Sequence, residues 1–337
     1  MLPGRRSLRR IGAIELKRVL IAGAAGFIGS HLAKELIDQG HEVIGVDNFC
    51  TGLRKNLENL MENASFTFVE RDLTAHGFLE DERFRHVEEI YHLASPASPK
   101  FYQMYPLETI AANTVGTRNL LELARKSGAR FLFASTSEVY GDADVHPQPE
   151  EYRGNVNTWG PRACYDEAKR LGEVYCYEYY RSYRVKVRIA RLFNTYSAGL
   201  RNDDGRVISN FVNQALRGED ITVYGDGSQT RSFCYIDDTV RALRLIMERE
   251  VAEGQIFNVG NPKEYTILEI AQLVKKLTGS PSKIVFCPRP ADDPMQRCPE
   301  IGKAKTLLGW QPEIDLEEGL RRTIEVYKKI LCGGDPA

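Results

Sequence analysis

The sequence predicts an α/β protein with a Rossmann-type doubly wound parallel sheet and a smaller C-terminal α/β lobe. Two observations support this: short apolar runs alternate with helix-like stretches along the first two thirds of the chain, and a glycine-rich turn follows the first run. Continuous apolar strands separated by helices are typical of a parallel sheet that is covered on both faces. Beyond about Ser197 the pattern loosens, but no low-complexity linker intervenes. We therefore expect the second lobe to pack closely on the first.

Six short apolar runs predict the strands of that sheet, and three longer stretches between them predict helices. The runs are RVLIAG, EVIGVD, FTFVE, EIYHLA, RFLFAS and KVRIARLF, which are rich in the Val, Ile and Phe that favour strands. The helices are predicted at residues 27–38, 107–127 and 162–183. With 337 residues and no internal repeat, the chain can form one large or two ordinary domains.

The charge balance excludes some classes of partner. The formal net charge is -1, which predicts no attraction to nucleic acid or to anionic lipid. No window approaches the roughly 20 apolar residues of a membrane span. Four arginines lie within the first ten residues, and we expect residues 1–17 to be a solvated, disordered leader.

The cysteines and histidines predict neither disulfides nor a metal site. The seven cysteines are an odd, scattered set without a CxxC pair, which argues against a disulfide framework. Free thiols in a reducing cytoplasm are the simplest interpretation. The six histidines are equally dispersed, so we expect no bound metal.

A glycine-rich turn after the first strand predicts a dinucleotide-binding site. In VLIAGAAGFIGSHLAKEL, Gly23, Gly26 and Gly29 lie between a strand and a helix, so the backbone and the helix N-terminus can approach a pyrophosphate. The spacing GxxGxxG is one residue wider than the usual fingerprint. The second strand ends in Asp47, whose carboxylate can bind both ribose hydroxyls and repel a 2′-phosphate. The pattern therefore favours NAD over NADP.

A tyrosine and a lysine four residues apart predict a proton-transfer pair. Tyr165 and Lys169, in CYDEAKR, fall on one face of a predicted helix. A tyrosine pKa of about 10 makes a poor base at neutral pH, but an ammonium and a positive nicotinamide ring beside the phenol would lower it. Combined with the NAD turn and the hydroxyls of Ser135 and Thr136 at a strand end, the pair indicates a dehydrogenase-type site.

These motifs resemble those of the extended short-chain dehydrogenase/reductases, which remodel nucleotide sugars. Within that family, YHLASPASP, ASTSEVYGDADVHPQPEEY, GPRACYDEAKR, DGRVISNF and VYGDGSQTRSFCY are similar to the UDP-glucuronate decarboxylases, also called UDP-xylose synthases. The resemblance runs from about Arg18 to Tyr327. It implies an NAD-binding Rossmann domain at residues 18–196 and mainly a UDP-sugar-binding lobe at residues 197–332, from which residues 237–262 return to the first domain.

The resemblance also implies a reaction. Tyr165 takes the proton of the sugar 4-hydroxyl while C4 gives its hydride to NAD, and Thr136 polarises the C4 oxygen with Ser137 nearby. The 4-ketone lies β to the carboxylate on C5, so carbon dioxide can leave and an enolate forms, which Arg297 would stabilise. Glu138 would serve the protonation of C5, directly or through water, before the hydride returns to C4. We expect burial to raise the pKa of Glu138, as a proton donor at neutral pH requires.

The resemblance further assigns residues to the cofactor and the substrate. The cofactor positions are Gly23, Gly26, Phe27, Ile28, Gly29, Asp47, Asn48, Phe49, Thr51, Gly52, Asp72, Leu73, Leu93, Ser95, Ala134, Tyr165, Lys169 and Arg206. The substrate positions are Asn194, Tyr224 and Arg231 for uridine or the diphosphate, and Arg297 for the sugar. NAD is expected to stay tightly bound because it is recycled within each turnover. A cytoplasmic homodimer is expected, with a four-helix interface built from the helices at residues 107–127 and 162–183.

Three departures from the decarboxylase pattern leave the sugar preference open. Ala-Ala-Asn at residues 111–113 stands where the family usually has Lys-Thr-Asn, Ser-Ala-Gly at 197–199 replaces Gly-Pro-Arg, and RDLTAHGFLEDERFRH is a few residues longer. These segments are expected to flank the substrate, and Arg201 is a candidate for the missing cation. The alternatives are a 4,6-dehydratase with a similar Thr-x-Glu triplet, a 4-epimerase, a decarboxylase that releases the UDP-4-keto-pentose, and a non-catalytic nucleotide-sugar sensor. Glu138 and Arg297 count against the epimerase, which needs neither.

Overall fold

The computed structural model describes residues 10–11, 14–200, 204–288 and 296–332. Most of the predicted leader, residues 1–17, therefore lies outside the described residues, and so does Arg201. Where the leader is described, two short strands, β1 Arg10–Ile11 and β2 Ile14–Glu15, pair with each other. Among the described helices, none combines the length and the apolar character that crossing a bilayer would take.

Seven strands form one parallel sheet, which confirms the predicted fold class. In chain order the remaining strands are β3 Arg18–Ala22, β4 Glu42–Asp47, β5 Phe66–Glu70, β6 Glu89–His92, β7 Arg130–Thr136, β8 Lys186–Leu192, β9 Thr195–Tyr196, β10 Ile221–Tyr224, β11 Thr230–Ser232, β12 Cys234–Tyr235, β13 Ile256–Val259, β14 Glu264–Thr266 and β15 Ile284–Cys287. The large sheet has the order β13-β8-β7-β6-β3-β4-β5. The chain winds outward from β3 in both directions, which is the doubly wound arrangement. All six predicted strands are present, and β13 is the seventh.

Helices connect these strands and cover both faces of the sheet. They are α1 Phe27–Asp38, α2 Glu58–Met61, α3 Pro99–Met104, α4 Pro106–Ala111, α5 Thr117–Ser127, α6 Ala163–Tyr183, α7 Val207–Arg217, α8 Ile236–Glu248, α9 Ile267–Thr278, α10 Gly302–Leu308 and α11 Leu316–Cys332. A π-helical turn, Ala112–Gly116, joins α4 to α5. Short 3-10 turns occur at Arg54–Leu57, Phe78–Glu80, Glu82–Phe84, Ser137–Tyr140 and Glu250–Ala252. The helix predicted at residues 107–127 is thus one helical segment with a wider turn in its middle.

Burial on both faces explains why the central strands are continuous apolar runs. Val19 and Leu20, which are neighbours in β3, are both fully buried and belong to different cores, since successive strand residues point to opposite faces. One core lies under α1 and α8, with Leu32 and Leu243 among its members. The other lies under α5 and α6 and includes Leu120.

The C-terminal lobe packs directly against the first domain. It contains two small sheets, parallel β10–β15 and antiparallel β11–β14, beside α7, α9 and α11. Phe211, Val274 and Tyr327 of this lobe belong to the same core as Val19 and Leu32. A cavity of about 630 Å³ lies between the lobe and the carboxyl ends of β3, β6, β7 and β8. Ligands of open α/β sheets bind in such a crevice.

Candidate active site

The turn after β3 forms a cradle that only glycine allows. Gly23 has a φ of +87°, and a Cβ on it would lie 2.7 Å from the backbone nitrogen of Ala94. Gly26 is the N-cap of α1. A Cβ on Gly29 would lie 2.1 Å from the Gly23 carbonyl oxygen, so the first turn of α1 packs directly on the cradle. The helix N-terminus faces the cavity, where its free N–H groups and dipole suit a pyrophosphate.

Asp47 is held at the end of β4 by backbone donors. Its Oδ2 accepts a hydrogen bond from the Ala25 N–H at 3.0 Å, and its Oδ1 accepts one from the Phe49 N–H at 2.8 Å. Burial raises the pKa of Asp47, while these backbone hydrogen bonds oppose the rise. Gly52 packs so closely that a Cβ on it would lie 2.9 Å from Oδ1. The acid is therefore fixed one strand away from the cradle, where this fold binds a ribose.

The predicted cofactor residues fall into two groups. The first group lines the cavity and comprises Gly23, Gly26, Phe27, Ile28, Gly29, Thr51, Leu93, Ser95, Ala134, Tyr165, Lys169 and Arg206. The second group surrounds the ends of β4 and β5, beside the cavity, and comprises Asp47, Asn48, Phe49, Gly52, Asp72 and Leu73. Within it, Asn48 Nδ2 donates to Asp72 Oδ2 at 2.7 Å. The glycine cradle, Asp47 and the hydrogen bond between Asn48 and Asp72 lie along one edge of the sheet. This arrangement fits a dinucleotide.

Tyr165 and Lys169 reach the cavity from α6. The Tyr165 ring is buried and stacks on that of Tyr102, with the ring centroids 5.0 Å apart. Lys169 Nζ donates to the Ala134 carbonyl oxygen at 2.7 Å and lies 5.8 Å from the centroid of the Tyr165 ring. The four-residue spacing thus places both side chains at the end of β7.

Burial is the main cause of the pKa shifts of Tyr165 and Lys169. It raises the pKa of Tyr165 to about 12, although a hydrogen bond with Thr136 opposes the rise. It also lowers the pKa of Lys169 to about 7. The expected lowering of the tyrosine pKa does not arise from the residues of the chain alone, because desolvation of the phenolate outweighs the Thr136 hydrogen bond. The Arg206 charge also opposes the rise, and a cationic nicotinamide beside the phenol would oppose it further.

The two hydroxyls at the end of β7 have different partners. Ser135 Oγ donates to Glu173 Oε1 at 2.6 Å, and Glu173 in turn pairs with Arg191. Thr136 Oγ1 accepts from the Glu138 N–H at 3.2 Å and is in hydrogen-bonding contact with Tyr165. Both residues line the cavity, but the Ser135 hydroxyl is engaged by Glu173 of α6, so the expectation that it also serves the site stays a prediction.

Glu138 lies between two arginines. It belongs to the 3-10 turn directly after β7, where its Oε1 accepts from Arg297 Nη1 and its Oε2 accepts from Arg162 Nη2. Arg297 also donates to Ser137 Oγ at 3.2 Å and to the Gly141 carbonyl oxygen at 3.1 Å. The Arg297 side chain is 3% exposed. Arg297, from a distant loop, and Arg162, the N-cap of α6, thus contact the same carboxylate.

The two guanidinium groups reverse the pKa shift expected for Glu138. Burial alone raises the pKa, but Arg297 and Arg162 together hold it at about 2. The expectation of a raised pKa is wrong because it considered burial of Glu138 without the charges of Arg297 and Arg162 beside it. The carboxyl that keeps a proton here is Asp166, whose pKa is raised to about 8 by burial and by the Glu138 charge. Among the described residues, Asp166 Oδ1 has no hydrogen-bond partner.

The predicted substrate residues line the cavity from the side of the C-terminal lobe. Asn194 follows β8 and donates from Nδ2 to the Ser232 carbonyl oxygen at 3.1 Å. Tyr224 ends β10 and is partly exposed, and Arg231 lies in β11. With Arg162, Arg206 and Arg297, Arg231 gives the cavity lining four guanidinium groups. Such a lining suits a ligand with both a diphosphate and a carboxylate.

Three contributors to the site were missed from the sequence. Arg162 stands three residues before Tyr165, so helical spacing carried a signal that it shares this face. Tyr102 reaches Tyr165 from α3, and no sequence spacing indicates that stacking. Asn56 Nδ2 donates to the carbonyl oxygens of Ala25 and Gly199 at 3.0 and 3.1 Å. It thereby ties the cradle to the loop that follows β9.

The segments that depart from the decarboxylase pattern differ in whether they line the cavity. Residues 71–86 are not part of the cavity lining, and Phe78 and Phe84 within them are buried in the core under α5. Ala111 and Ala112 also lie outside the lining, whereas residues 197 and 199 belong to it. The expectation that these segments flank the substrate is thus supported for residues 197–199 and stays a prediction for the other two.

The fold and the site together define a class: a dinucleotide-dependent enzyme that moves a hydride and a proton at an anionic, sugar-sized ligand. The chain belongs to the NAD dependent epimerase/dehydratase family, whose model matches residues 19–260. This confirms the expected superfamily and its NAD cofactor.

Two curated relatives and one solved structure are similar to this chain and narrow the class of enzyme. The chain is 51% identical over 315 residues to UDP-glucuronic acid decarboxylase 1 of Danio rerio, covering 94% of this chain and 73% of that protein. It is 49% identical over 318 residues to UDP-glucuronic acid decarboxylase 1 of Arabidopsis thaliana, covering 94% and 71%. UDP-glucuronic acid 4-epimerase from Bacillus cereus, in complex with UDP-glucuronic acid and NAD, has a TM-score of 0.85 at 28% identity, covering 93% and 99%.

Proposed function

We propose that this protein converts UDP-glucuronate to UDP-xylose and carbon dioxide with a tightly bound NAD that is recycled in each turnover. The observation that carries the proposal is the Glu138–Arg297 pair beside Tyr165 and Lys169. A permanently charged guanidinium suits the sugar carboxylate and the enolate that replaces it. The two relatives that are about half identical to this chain are both UDP-glucuronic acid decarboxylases, which supports the same substrate.

The cradle, Asp47 and the cavity wall up to Lys169 would hold the cofactor. Bound NAD would supply a hydride acceptor and donor for C4 and a positive charge beside the Tyr165 phenol. The Lys169 ammonium, held by the Ala134 carbonyl oxygen, would support the phenolate. On the other side, the Arg231 guanidinium and the Gly-rich turn before it would bind the diphosphate.

Tyr165 Oη would remove the proton of the sugar 4-hydroxyl. Thr136 is in hydrogen-bonding contact with Tyr165, so its hydroxyl can also polarise the C4 oxygen. When C4 becomes a ketone, the C5 carboxylate lies β to it, and the C5–carboxylate bond can break with its electron pair delocalised into the enolate. Arg297 accelerates this step only if it stabilises the enolate more than the carboxylate.

Glu138 would guide the proton to C5 through a water molecule. Its pKa of about 2 leaves the carboxylate anionic near neutral pH, so it cannot itself be the main proton source. An anionic carboxylate can instead accept a hydrogen bond from a water and orient that water toward C5. Protonation of C5 takes up one proton from solvent per carbon dioxide released, which balances the reaction. A Glu138→Gln variant is then expected to oxidise C4 but to complete few cycles.

A 4-epimerase acting on the same substrate is the second candidate, because the Bacillus cereus neighbour is a UDP-glucuronic acid 4-epimerase. The decisive experiment is incubation with UDP-glucuronate and no added NAD, read by mass spectrometry and NMR. UDP-xylose supports the proposal, and UDP-4-keto-pentose supports a decarboxylase that releases its intermediate. UDP-galacturonate would identify an epimerase, and unchanged substrate would count against all three.

We also propose a cytoplasmic homodimer with a four-helix interface. Leu107 and Ile110 on α4, and Leu171, Val174 and Tyr177 on α6, are exposed apolar side chains, and exposed apolar patches mark association sites. Two copies that cover this patch would bring the four helices together. Light scattering is expected to give a dimer for the native protein and a monomer for Val174→Glu. A native monomer would refute the interface, and cell fractionation would test the compartment.

A further inference from the structure

Three metal-ligating side chains from distant parts of the chain meet beside the loop that carries Arg297. His146, Glu264 and Cys298 place a nitrogen, a carboxylate oxygen and a sulfur all within 4.8 Å of one another. His146 Nε2 already lies 2.8 Å from Glu264 Oε2. Cys298 is buried, Glu264 is half-buried and His146 is exposed, so the cluster opens to solvent at the imidazole.

This donor set suits a thiophilic divalent cation. Zn²⁺ binds sulfur at about 2.3 Å and nitrogen or oxygen at about 2.0–2.2 Å in tetrahedral sites, so its ligand atoms lie roughly 3.3–3.6 Å apart. The separations in the cluster therefore have to change by only about 1 Å to reach that geometry. A hard cation such as Mg²⁺ prefers oxygen ligands. Three protein ligands would leave a fourth position for water.

The cluster is connected to Arg297 through Cys298. Cys298 directly follows Arg297, and its Sγ donates to the Pro262 carbonyl oxygen at 3.2 Å. The Cys298 backbone is held by Gln148, whose Oε1 accepts from the Cys298 N–H at 2.9 Å. Drawing Sγ toward a cation would break its contact with the Pro262 carbonyl oxygen and shift Cys298, which is the residue next to Arg297.

A second connection runs through Glu264 to the substrate lobe. Glu264 Oε1 accepts from Thr230 Oγ1 at 2.6 Å. Thr230 directly precedes Arg231, and Glu264 is paired with Ser232 in the β11–β14 sheet. A cation that binds a Glu264 oxygen would therefore alter the contact that holds Thr230, the residue before Arg231. Arg231 is a second arginine of the cavity.

We propose that His146, Glu264 and Cys298 bind a thiophilic divalent cation such as Zn²⁺, and that binding inhibits turnover by displacing Arg297. The sequence gives no sign of this site, because its residues come from three separate segments, and we expected no metal from the histidine spacing. The binding is independent of the proposed function, whereas the inhibition rests on it.

The binding test is a Co²⁺ titration of the tag-free, chelator-treated full chain. One Co²⁺ per chain is expected, with a near-ultraviolet thiolate-to-metal band and visible ligand-field bands that Zn²⁺ abolishes. Cys298→Ser should lose the thiolate band and bind Co²⁺ at least about 10-fold more weakly. Cys287→Ser, which removes a half-buried thiol on β15 outside the cluster, should keep both. A native protein without the band, or a band that survives Cys298→Ser, overturns the site.

The inhibition test measures turnover of UDP-glucuronate at matched free Zn²⁺ concentrations. Zn²⁺ should lower the turnover of the native protein and of Cys287→Ser, and a chelator should restore it. Turnover by Cys298→Ser should no longer be sensitive to Zn²⁺. Any inhibition that remains in this variant measures Zn²⁺ bound to the nucleotide and not to the cluster. If Co²⁺ binds as expected but Zn²⁺ leaves turnover unchanged, the link to Arg297 is wrong. If UDP-glucuronate is not consumed even without metal, the proposed function fails while the Co²⁺ result still decides the site.

Discussion

Replacing Glu138 by glutamine is expected to destabilise the protein at neutral pH and to have a smaller effect in acid. The native carboxylate is shared by Arg162 and Arg297, whose side chains are 12% and 3% exposed. A glutamine has nearly the same shape but no charge, so the two guanidinium groups would lose the carboxylate that both of them contact. Buried charges that lose their partner are costly.

The size of the effect follows from the pKa of Glu138, which falls from 4.5 to about 2 in the folded protein. A difference of 4.5 minus 2, at about 1.4 kcal/mol per pKa unit, corresponds to roughly 3 kcal/mol of the free energy of unfolding. Because the folded pKa is the lower one, this stabilisation is complete above pH 4.5 and is lost as pH falls toward 2. The destabilisation caused by the substitution should therefore shrink steadily as the pH falls through this range.

The measurement is urea unfolding of native protein and variant at several pH values. Trp310 is fully buried, so its fluorescence reports unfolding of the C-terminal part, and linear extrapolation gives the free energy of unfolding in water. Glu151→Gln, at an exposed glutamate, is the matched control and should change stability by less than about 0.5 kcal/mol. Equal stability of Glu138→Gln and native protein at pH 7 would refute the reasoning, and so would a loss that stays constant from pH 7 to pH 3.

Three further predictions concern the cofactor and the chemistry. Gly29→Ala should lose co-purified NAD, measured by absorbance after denaturation, because its Cβ would meet the Gly23 carbonyl oxygen at 2.1 Å; Lys34→Ala, on the exposed face of α1, should keep the NAD. Arg297→Lys should lower the rate of carbon dioxide release by roughly 100-fold or more, since a lysine cannot replace the bidentate guanidinium. The control Arg321→Lys, at an exposed arginine, should keep the native rate. Equal rates for Arg297→Lys and the native protein would exclude the role of Arg297. Tyr165→Phe should bind UDP by calorimetry but form no 4-keto product, and normal turnover would remove the tyrosine from the mechanism.

Local patterns were sufficient for the NAD half of the site. The three glycines of the cradle and Asp47 are set by one strand-turn-helix unit and the strand that follows, so a short stretch of sequence determines their positions. The burial of the central strands is equally local, because a fully covered parallel strand has to be apolar on both faces. Even so, β13 joins the sheet from beyond α8, and no periodicity specified its neighbour.

Electrostatics could not be predicted in the same way, because it depends on groups that the sequence keeps far apart. Glu138 and Arg297 are separated by 159 positions; their assignment to one site followed from resemblance, and their direct contact was not predicted. The predicted direction of the Glu138 pKa shift was wrong because the charges of Arg297 and Arg162 beside the carboxylate had been left out. Sequence also shows which charges can lie near the Tyr165 phenol but not how much water burial removes, so the rise of its pKa among the residues of the chain alone was not foreseen.

The position of Arg297 in the chain has a consequence for how this enzyme could diversify. The family model ends at residue 260, and the glycine cradle, Asp47, Tyr165 and Lys169 all lie within the matched residues. The arginine that would make the oxidised sugar lose its carboxylate lies beyond that match, on a loop, and its guanidinium contacts Ser137, Glu138 and Gly141. A change of that loop alone could redirect the same keto intermediate, so the fate of the carbon skeleton can evolve while the redox machinery stays untouched.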